Sequence, residues 1–241
     1  AGRDLGGDVA ALRIGESLMP AARLCVRAIL FDMDNTLLAS RIDYAAMRRE
    51  VGDRLVREGY LAEDEIENGT TASLIQAAID RGLAGEALDR IWAICARHEA
   101  QGMRGAELEP GARETLERLR ACGLLLAVLT NNAEAAAERA LGETGIRQYF
   151  DIVAGRESVP ALKPSPAGVR AVLARRPDVP PGRWLAVGDS WIDGAAAAGA
   201  GIAFAAYRAR HDMAERGIEP VVRINRLDEL PDWLEEHLED Q

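Results

Sequence analysis

The stretch that decides the fold is Arg27-Ala-Ile-Leu-Phe-Asp-Met-Asp-Asn-Thr36. It begins as a continuous apolar run and ends in two aspartates and the turn-forming Asn35. A run without polar alternation predicts a strand that is covered on both faces, as the strands of parallel sheets are. Because alternate residues leaving a strand point the same way, we expect Asp32 and Asp34 to share one site.

Further apolar runs follow along the chain, and helical patterns separate most of them. The predicted strands are residues 124–130, 152–154, 184–187, 201–205 and 221–224. The predicted helices are residues 111–121, 134–141, 167–176 and 192–199. This alternation predicts an α/β fold with a doubly wound parallel sheet. Ligands of such sheets bind beyond the carboxyl ends of the strands.

Residues 38–110 break the alternation, because they carry helical patterns and no convincing strand. The helical patterns cover residues 44–58, 73–80 and 86–103. We interpret the segment as an all-helical insertion after the first strand. The predicted organisation is an N-terminal extension (1–23), an α/β core (24–38 and 110–241) and a helical cap (39–109).

The bulk properties exclude several classes of protein. The 241 residues carry a net charge of -10, which disfavours a nucleic-acid partner. Three scattered cysteines, Cys25, Cys95 and Cys122, predict reduced thiols and a reducing compartment. No apolar stretch approaches the ~20 residues of a membrane span, and residues 1–23 lack the order of a signal peptide. We therefore expect a cytoplasmic protein without a membrane partner.

Asp32 and Asp34 are the first candidate functional residues. Two adjacent carboxylates repel each other unless a cation or a proton intervenes. Mg²⁺ prefers oxygen ligands, and one or two carboxylates suffice to hold it beside a phosphate. One carboxylate would then attack phosphorus while the other transfers a proton. The alternative is that both acids only cap a turn.

Polar residues at later strand ends favour the catalytic interpretation. Thr130 and Asn131 offer a hydroxyl and a backbone N–H to phosphate oxygens, or alternatively cap a helix. Lys163, in a proline-flanked loop, would neutralise phosphate charge, or is a solvated surface lysine. Asp189 and Asp193 supply two further acids, or an acidic helix start. Such a collection at successive strand ends is hard to explain by chance.

Taken in chain order, these strand-end residues resemble the four motifs of the haloacid dehalogenase superfamily. The resemblance runs from about residue 28 to residue 207. The helical insertion is similar to the small α-helical cap of phosphoglycolate phosphatases and their relatives. The motifs are Asp32-x-Asp34-x-Thr36, Thr130, Lys163-Pro164 and Gly188-Asp189-Ser190-x-x-Asp193.

The resemblance implies roles for the acids. Asp32 would be the nucleophile that forms an aspartyl-phosphate. Asp34 would be the general acid and base, and its backbone carbonyl would contact the metal. Asp32, Asp34 and Asp189 would thus hold Mg²⁺, the implied cofactor. Asp193 would orient Lys163 or a metal-bound water.

The resemblance also implies a phosphate-binding set, in which Thr130, Asn131 and Lys163 bind the transferred phosphoryl group. Two departures from the family pattern occur. Asn35 stands where many members have glycine, and asparagine tolerates the left-handed backbone that such a turn needs. Ala39-Ser40 stands where relatives often have an acid before the serine, which leaves the details of cap closure open.

The predicted function is a Mg²⁺-dependent phosphatase that acts on a small phosphorylated metabolite similar to phosphoglycolate. Arg41 would pair with a substrate carboxylate, or is a solvated hinge arginine. Asp43 and the turn at residues 68–71 are further candidate contacts. The alternatives are a phosphomutase or phosphotransferase acting on a sugar phosphate, and a non-catalytic phosphate-binding regulator. We expect a monomer or a homodimer.

Overall fold

The computed structural model describes residues 25–66, 69–209 and 212–237. The predicted extension at residues 1–23 and one member of the candidate turn, Asn68, lie outside the described residues. In chain order, the strands are β1 (Ala28–Phe31), β2 (Leu38–Ala39), β3 (Glu107–Leu108), β4 (Leu125–Leu129), β5 (Ile152–Ala154), β6 (Trp184–Gly188), β7 (Ala203–Tyr207) and β8 (Val222–Ile224). The α-helices are α1 (Tyr44–Arg57), α2 (Thr71–Asp80), α3 (Gly85–Gly102), α4 (Ala112–Ala121), α5 (Glu134–Glu143), α6 (Pro166–Leu173), α7 (Trp191–Ala200), α8 (Asp212–Glu215) and α9 (Glu229–His237).

Six strands form one parallel sheet in the order β5-β4-β1-β6-β7-β8. The predicted α/β class with a doubly wound parallel sheet is confirmed. The first strand lies at the centre, where Ala28 pairs with Leu125 on one side and Trp184 on the other. The strand order therefore changes direction at β1, and such a switch point leaves a crevice at the carboxyl end of the strand.

Alternate residues of β1 enter two separate apolar layers. Ile29 and Phe31 belong to one layer, while Ala28 and Leu30 belong to the other. The first layer includes buried residues of α4, α5 and α9, and the second includes those of α6 and α7. All four residues of β1 are buried, which explains why its sequence is a continuous apolar run.

The inserted segment contains α1, α2 and α3, but the prediction that it has no strand is wrong. The strands β2 and β3 pair in antiparallel fashion at its two ends, with Leu38 opposite Leu108 and Ala39 opposite Glu107. Two residues are too few to show a two-residue period, so the sequence carries no strand signal there.

A close approach of backbones brings the two ends of the insertion together. The amide of Arg41 donates to the carbonyl of Gly102 at 3.1 Å. A Cβ at residue 102 would lie 2.4 Å from Cα of Ile42, so only glycine fits at the end of α3. The insertion therefore leaves and rejoins the sheet through one compact junction.

Two smaller observations concern the bulk predictions. Cys25, Cys95 and Cys122 are free thiols, in keeping with the predicted reduced state. Among the helices of the described residues, none has the length and apolar character that crossing a membrane requires.

Candidate active site

The candidate active site lies at the carboxyl ends of three neighbouring strands. Asp32 follows β1, Thr130 follows β4 and Asp189 follows β6. Lys163 reaches the same place from the loop between β5 and α6. The structure thus brings together residues that are up to 157 positions apart in the sequence.

Lys163 is buried, with a relative exposure of 4%, and its ammonium group has three acceptors. Its Nζ donates to Asp32 Oδ1 at 2.6 Å, to Asp193 Oδ1 at 2.7 Å and to the Leu129 carbonyl at 2.9 Å. Burial by itself would lower the pKa of Lys163, but Asp193 and Asp32 hold it above its usual range. The alternative of a solvated surface lysine is therefore wrong.

The composition makes this position unusual. The chain has 29 basic residues, and Lys163 is the single lysine among them. The surface ion pairs consequently use arginine, as in the pairs Arg81–Glu65 and Arg118–Asp232. A lone lysine in an arginine-rich chain is therefore a sequence signal for the site that the motifs do not contain.

Asp32 is held from two sides. Lys163 contacts its Oδ1, and the buried Thr36 hydroxyl donates to its Oδ2 at 3.1 Å. The turn between them requires Asn35 to adopt a φ of +57°, the left-handed conformation expected for this departure from glycine. The two contacts fix the orientation of the Asp32 carboxylate, and fixed orientation is what a nucleophile needs.

Asp34 lies in a different environment, facing the segment after β4. Its Oδ2 accepts hydrogen bonds from Asn132 Nδ2 at 2.7 Å and from Thr130 Oγ1 at 3.4 Å. The Thr130 hydroxyl also accepts from the Asn132 amide at 3.1 Å. The helix-capping alternative for Thr130 and Asn131 is wrong, because α5 begins after Ala133 and has no side-chain cap.

The Asp34 carboxyl is set up to carry a proton. Burial, followed by the negative charge of Asp32, raises its pKa to about 7. Its Oδ1 atom is buried and receives no hydrogen bond within 3.5 Å from the described residues. An acid with this pKa exchanges its proton readily near neutral pH, which suits general acid and base catalysis.

Asp32, Asp189 and Asp193 form an acid cluster in which one oxygen of each lies within 4.8 Å of the others. Burial, with Asp32 next, raises the pKa of Asp189, and burial also raises that of Asp193 although Lys163 opposes it. Lys163 contacts the carboxylates of Asp32 and Asp193 but not that of Asp189, so a further cation would relieve the repulsion among the three. An all-oxygen set of this kind fits Mg²⁺.

The cluster differs in one member from the predicted metal set. The carboxylate of Asp34 is directed at Thr130 and Asn132, so its metal contact stays a prediction through the backbone carbonyl. Asp193 takes its place among the side chains and also serves α7, since its Oδ2 accepts the Ser190 amide at 3.1 Å. Asp193 therefore both caps the start of α7 and contacts Lys163, and its role in orienting the lysine stays a prediction.

The Asp193 side chain packs directly on the end of β6. A Cβ at residue 188 would lie 2.6 Å from Asp193 Cβ and Oδ2. Glycine is therefore required where the acid cluster meets the strand.

Asn131 fixes the loop that carries the lysine. Its Nδ2 donates to the Lys163 carbonyl at 2.9 Å, and its Oδ1 accepts the Lys163 amide at 2.9 Å. These two bonds hold the side-chain amide against the backbone of Lys163, and we expect a contact of Asn131 with phosphate to use its backbone N–H.

Among the candidate residues of the insertion, the substrate contact of one stays a prediction and two others cap helices. Arg41 is exposed, and its interaction with a substrate stays a prediction. Asp43 caps α1 by accepting the Ala46 amide at 2.8 Å. Thr70 caps α2 by accepting the Ser73 amide at 3.1 Å. Capping explains both residues without a substrate.

Sequence analysis missed three polar residues near the site. Asn132 follows Thr130 by two positions, so the alternation rule applied to Asp32 and Asp34 would have found it. Glu99 and Arg156 are a buried pair that contacts residues 131–133, and their separation in sequence gave no local signal.

Comparisons with known proteins agree with this geometry. The model of a family described as haloacid dehalogenase-like hydrolase matches residues 26–201. A phosphoglycolate phosphatase from Cereibacter sphaeroides is 32% identical over 221 residues, covering 86% of this chain and 96% of that protein.

Two solved structures are similar at 26% identity each. One, described as a predicted phosphoglycolate phosphatase from Haemophilus somnus 129pt, has a TM-score of 0.62 and covers 86% of this chain and 97% of that chain. The other is CbbY from Rhodobacter sphaeroides in complex with phosphate, with a TM-score of 0.59 and coverage of 85% and 96%.

Proposed function

This chain belongs to the haloacid dehalogenase-like hydrolase family, and we propose that it is a Mg²⁺-dependent phosphatase that hydrolyses a small phosphorylated metabolite through an aspartyl-phosphate. The observation that carries the proposal is the contrast between two neighbouring acids. Asp32 is paired with Lys163 at 2.6 Å, while Asp34 is buried with its pKa raised to about 7. One acid is thus suited to nucleophilic attack and the other to proton transfer.

In the first step, a carboxylate oxygen of Asp32 attacks phosphorus and forms the new P–O bond. The bond from phosphorus to the leaving oxygen breaks, and that oxygen takes the proton of Asp34. In the second step, Asp34 accepts a proton from water as the water attacks phosphorus. The bond between Asp32 and phosphorus then breaks, which releases inorganic phosphate and restores both acids.

Binding of the phosphoryl group falls to Thr130, the backbone N–H of Asn131, and Lys163. Because the three donors of Lys163 are already used, it would exchange a carboxylate acceptor for a phosphoryl oxygen. Asp32, Asp189 and the Asp34 carbonyl would hold Mg²⁺, with Asp193 orienting Lys163 beside them. When bound, the metal supplies positive charge to the phosphoryl oxygens.

The proposed domain organisation is a core of residues 24–38 and 110–241 with a cap of residues 39–109. The paired β2 and β3 strands would form the junction through which the cap moves. A cap that closes over the site excludes water and favours small substrates. We place the protein in the cytoplasm, as a monomer or homodimer.

Phosphoglycolate is the proposed substrate type, supported by the names of the similar proteins. Arg41 at the junction would pair with the substrate carboxylate. A screen of phosphate esters at fixed Mg²⁺, repeated with Arg41→Ala, tests this assignment. A preferred ester whose use does not depend on Arg41 would place the carboxylate contact elsewhere.

The function is tested by hydrolysis of p-nitrophenyl phosphate with Mg²⁺, with EDTA, and with Asp32→Asn. We expect turnover that needs Mg²⁺ and falls at least about 1,000-fold in the variant, because the nucleophile is lost. Turnover no higher than that of Asp32→Asn would refute the proposal. Phosphorus NMR of the same reaction with a sugar monophosphate added separates hydrolysis from transfer, since a phosphotransferase moves the phosphoryl group to that sugar and yields a bisphosphate in place of inorganic phosphate.

A further inference from the structure

A buried ion pair connects the helical insertion to the sheet domain. Glu99 lies on α3, and Arg156 lies in the turn after β5. Arg156 Nη1 donates to Glu99 Oε1 at 2.5 Å, and Nη2 donates to Oε2 at 3.1 Å. The residues are only 2% and 8% exposed. Since desolvation offsets most of the attraction in a buried pair, stability alone is a weak explanation for it.

The same two side chains bind the backbone of the segment that follows β4. Glu99 Oε2 accepts the Ala133 amide at 3.2 Å, and Arg156 Nη1 donates to the Asn131 carbonyl at 3.5 Å. The Arg156 amide also donates to the Asn132 carbonyl at 3.0 Å. The pair thus contacts three consecutive residues, which we call the 131–133 loop.

The backbone around Arg156 leaves little freedom for this arrangement. A Cβ at Gly155 would lie 2.4 Å from the backbone of Glu134, so the turn after β5 approaches α5 directly. On the insertion side, the Arg156 guanidinium lies 5.0 Å from the ring centre of Trp92, another residue of α3. Arg156 is therefore enclosed by both parts of the molecule.

The 131–133 loop in turn positions the proton-transferring acid. Asn132 Nδ2 donates to Asp34 Oδ2 at 2.7 Å, the shortest hydrogen bond that this carboxylate receives from described residues. The Glu99 and Arg156 side chains thus connect α3 to the backbone of Asn131 and Ala133, on either side of Asn132. The Asn132 side chain continues this set of contacts to Asp34.

We propose that Glu99 and Arg156 are positioning residues that couple the placement of α3 to the orientation of Asp34. The inference rests on the proposed function, in which Asp34 protonates the leaving oxygen. When α3 is docked, the pair holds the 131–133 loop so that Asn132 orients the Asp34 carboxyl. When the pair is absent, Asp34 loses orientation, while the Lys163 ammonium keeps its contacts with Asp32, Asp193 and the Leu129 carbonyl, none of which lies in the 131–133 loop.

The dependence of rate on the leaving group separates this role from a merely structural one. An alkyl phosphate such as phosphoglycolate needs a proton on its poor leaving oxygen, whereas p-nitrophenyl phosphate releases a stable anion. The measurement is kcat/KM for both esters, because it reports the steps up to departure of the leaving group. A defect confined to Asp34 lowers the alkyl ester value selectively.

The test variant is the double substitution Glu99→Leu with Arg156→Met, which leaves no single charge buried. We expect kcat/KM for phosphoglycolate to fall about 10- to 100-fold and that for p-nitrophenyl phosphate about 3-fold or less. The loss is smaller than the ~100- to 10,000-fold contribution of a general acid, because Asp34 is misaligned and not removed. The matched control is Glu50→Gln with Arg97→Met, which removes an exposed ion pair between α1 and α3, keeps a hydrogen-bond partner for His98 and does not reach the loop. It should leave the ratio of the two values unchanged.

An equal loss for both esters, or a change of the same size in the control, would overturn the inference. A second measurement is independent of turnover: the side-chain amide resonance of Asn132, assigned by its absence in Asn132→Ser. This resonance should shift in the test variant and stay in place in the control, and an unshifted resonance also overturns the inference. If the wild-type protein hydrolyses neither ester faster than Asp32→Asn does, the proposed function fails while the resonance still decides the role of the pair.

Discussion

Charged groups are buried at the strand-end site and exposed on the outside of the helical insertion. At the site, the Lys163 and Asp193 side chains are 5% and 6% exposed and share a 2.7 Å contact. On the insertion, the Arg81 and Glu65 side chains are 48% and 35% exposed and share a 2.6 Å contact. Nearly equal distances therefore accompany very different environments. Burial, and not distance, decides what it costs to remove one partner of each contact.

The largest effect should follow from removing the buried cation. Lys163→Met leaves Asp32 and Asp193 without their shared partner, and we expect the free energy of unfolding to fall by about 3–5 kcal/mol. Urea unfolding in the presence of EDTA measures this change. Arg97→Met, a cation-to-methionine change at an exposed pair, is the control and should cost far less. Equal losses of unfolding free energy in the two variants would mean that burial does not distinguish the strand-end ion pair from the exposed one.

An intermediate effect is expected at the base of the insertion, behind β3. The buried Tyr207 hydroxyl donates to Glu109 Oε2 at 2.7 Å, and Arg208 contacts the same oxygen at 2.8 Å. Tyr207→Phe should lower the free energy of unfolding by about 1–2 kcal/mol, because the carboxylate keeps its arginine. Tyr149→Phe is the matched control, since that hydroxyl donates to Glu117 on the surface. A control that costs as much as Tyr207→Phe contradicts the comparison.

The smallest effect belongs to the exposed pair of the insertion. Arg81 lowers the pKa of Glu65 from 4.5 to about 2. The stabilisation is thus fully present well above pH 4.5 and is lost as the pH falls toward 2. Arg81→Gln should lower Tm by no more than about 2 °C at pH 7.

Urea midpoints of the wild type and Arg81→Gln at pH 7, 4 and 3 check this sign. The difference between the two proteins should shrink from pH 7 to pH 3, because Glu65 becomes protonated in the unfolded chain first. A difference that grows as the pH falls would show that another group dominates.

The parts of the molecule that could be predicted from sequence are those with a local signal. The strand before Asp32 is apolar on both faces, and each strand end carries its polar residues within a few positions. The rule that ligands bind at the carboxyl ends of parallel strands then brought Asp32, Thr130 and Asp189 to one place.

The parts that could not be predicted depend on distant contacts or on very short elements. Glu99 and Arg156 are 57 residues apart, and either side chain alone resembles an ordinary surface charge. The two-residue strands β2 and β3 are visible only through their pairing with each other. The orientation of Asp34 away from the acid cluster depends on Asn132, which approaches it through the packing of two separate strands.

The single lysine gives the protein an uncommon chemical property. Acylating reagents react with unprotonated amines, which attack them as nucleophiles. The only side-chain amine of the 241-residue sequence is a buried ammonium with three acceptors and a raised pKa. The outer surface of the folded chain therefore offers such reagents no lysine target. Acylation of Lys163 becomes a direct reporter of how often the site opens, free from the background that surface lysines create in other proteins.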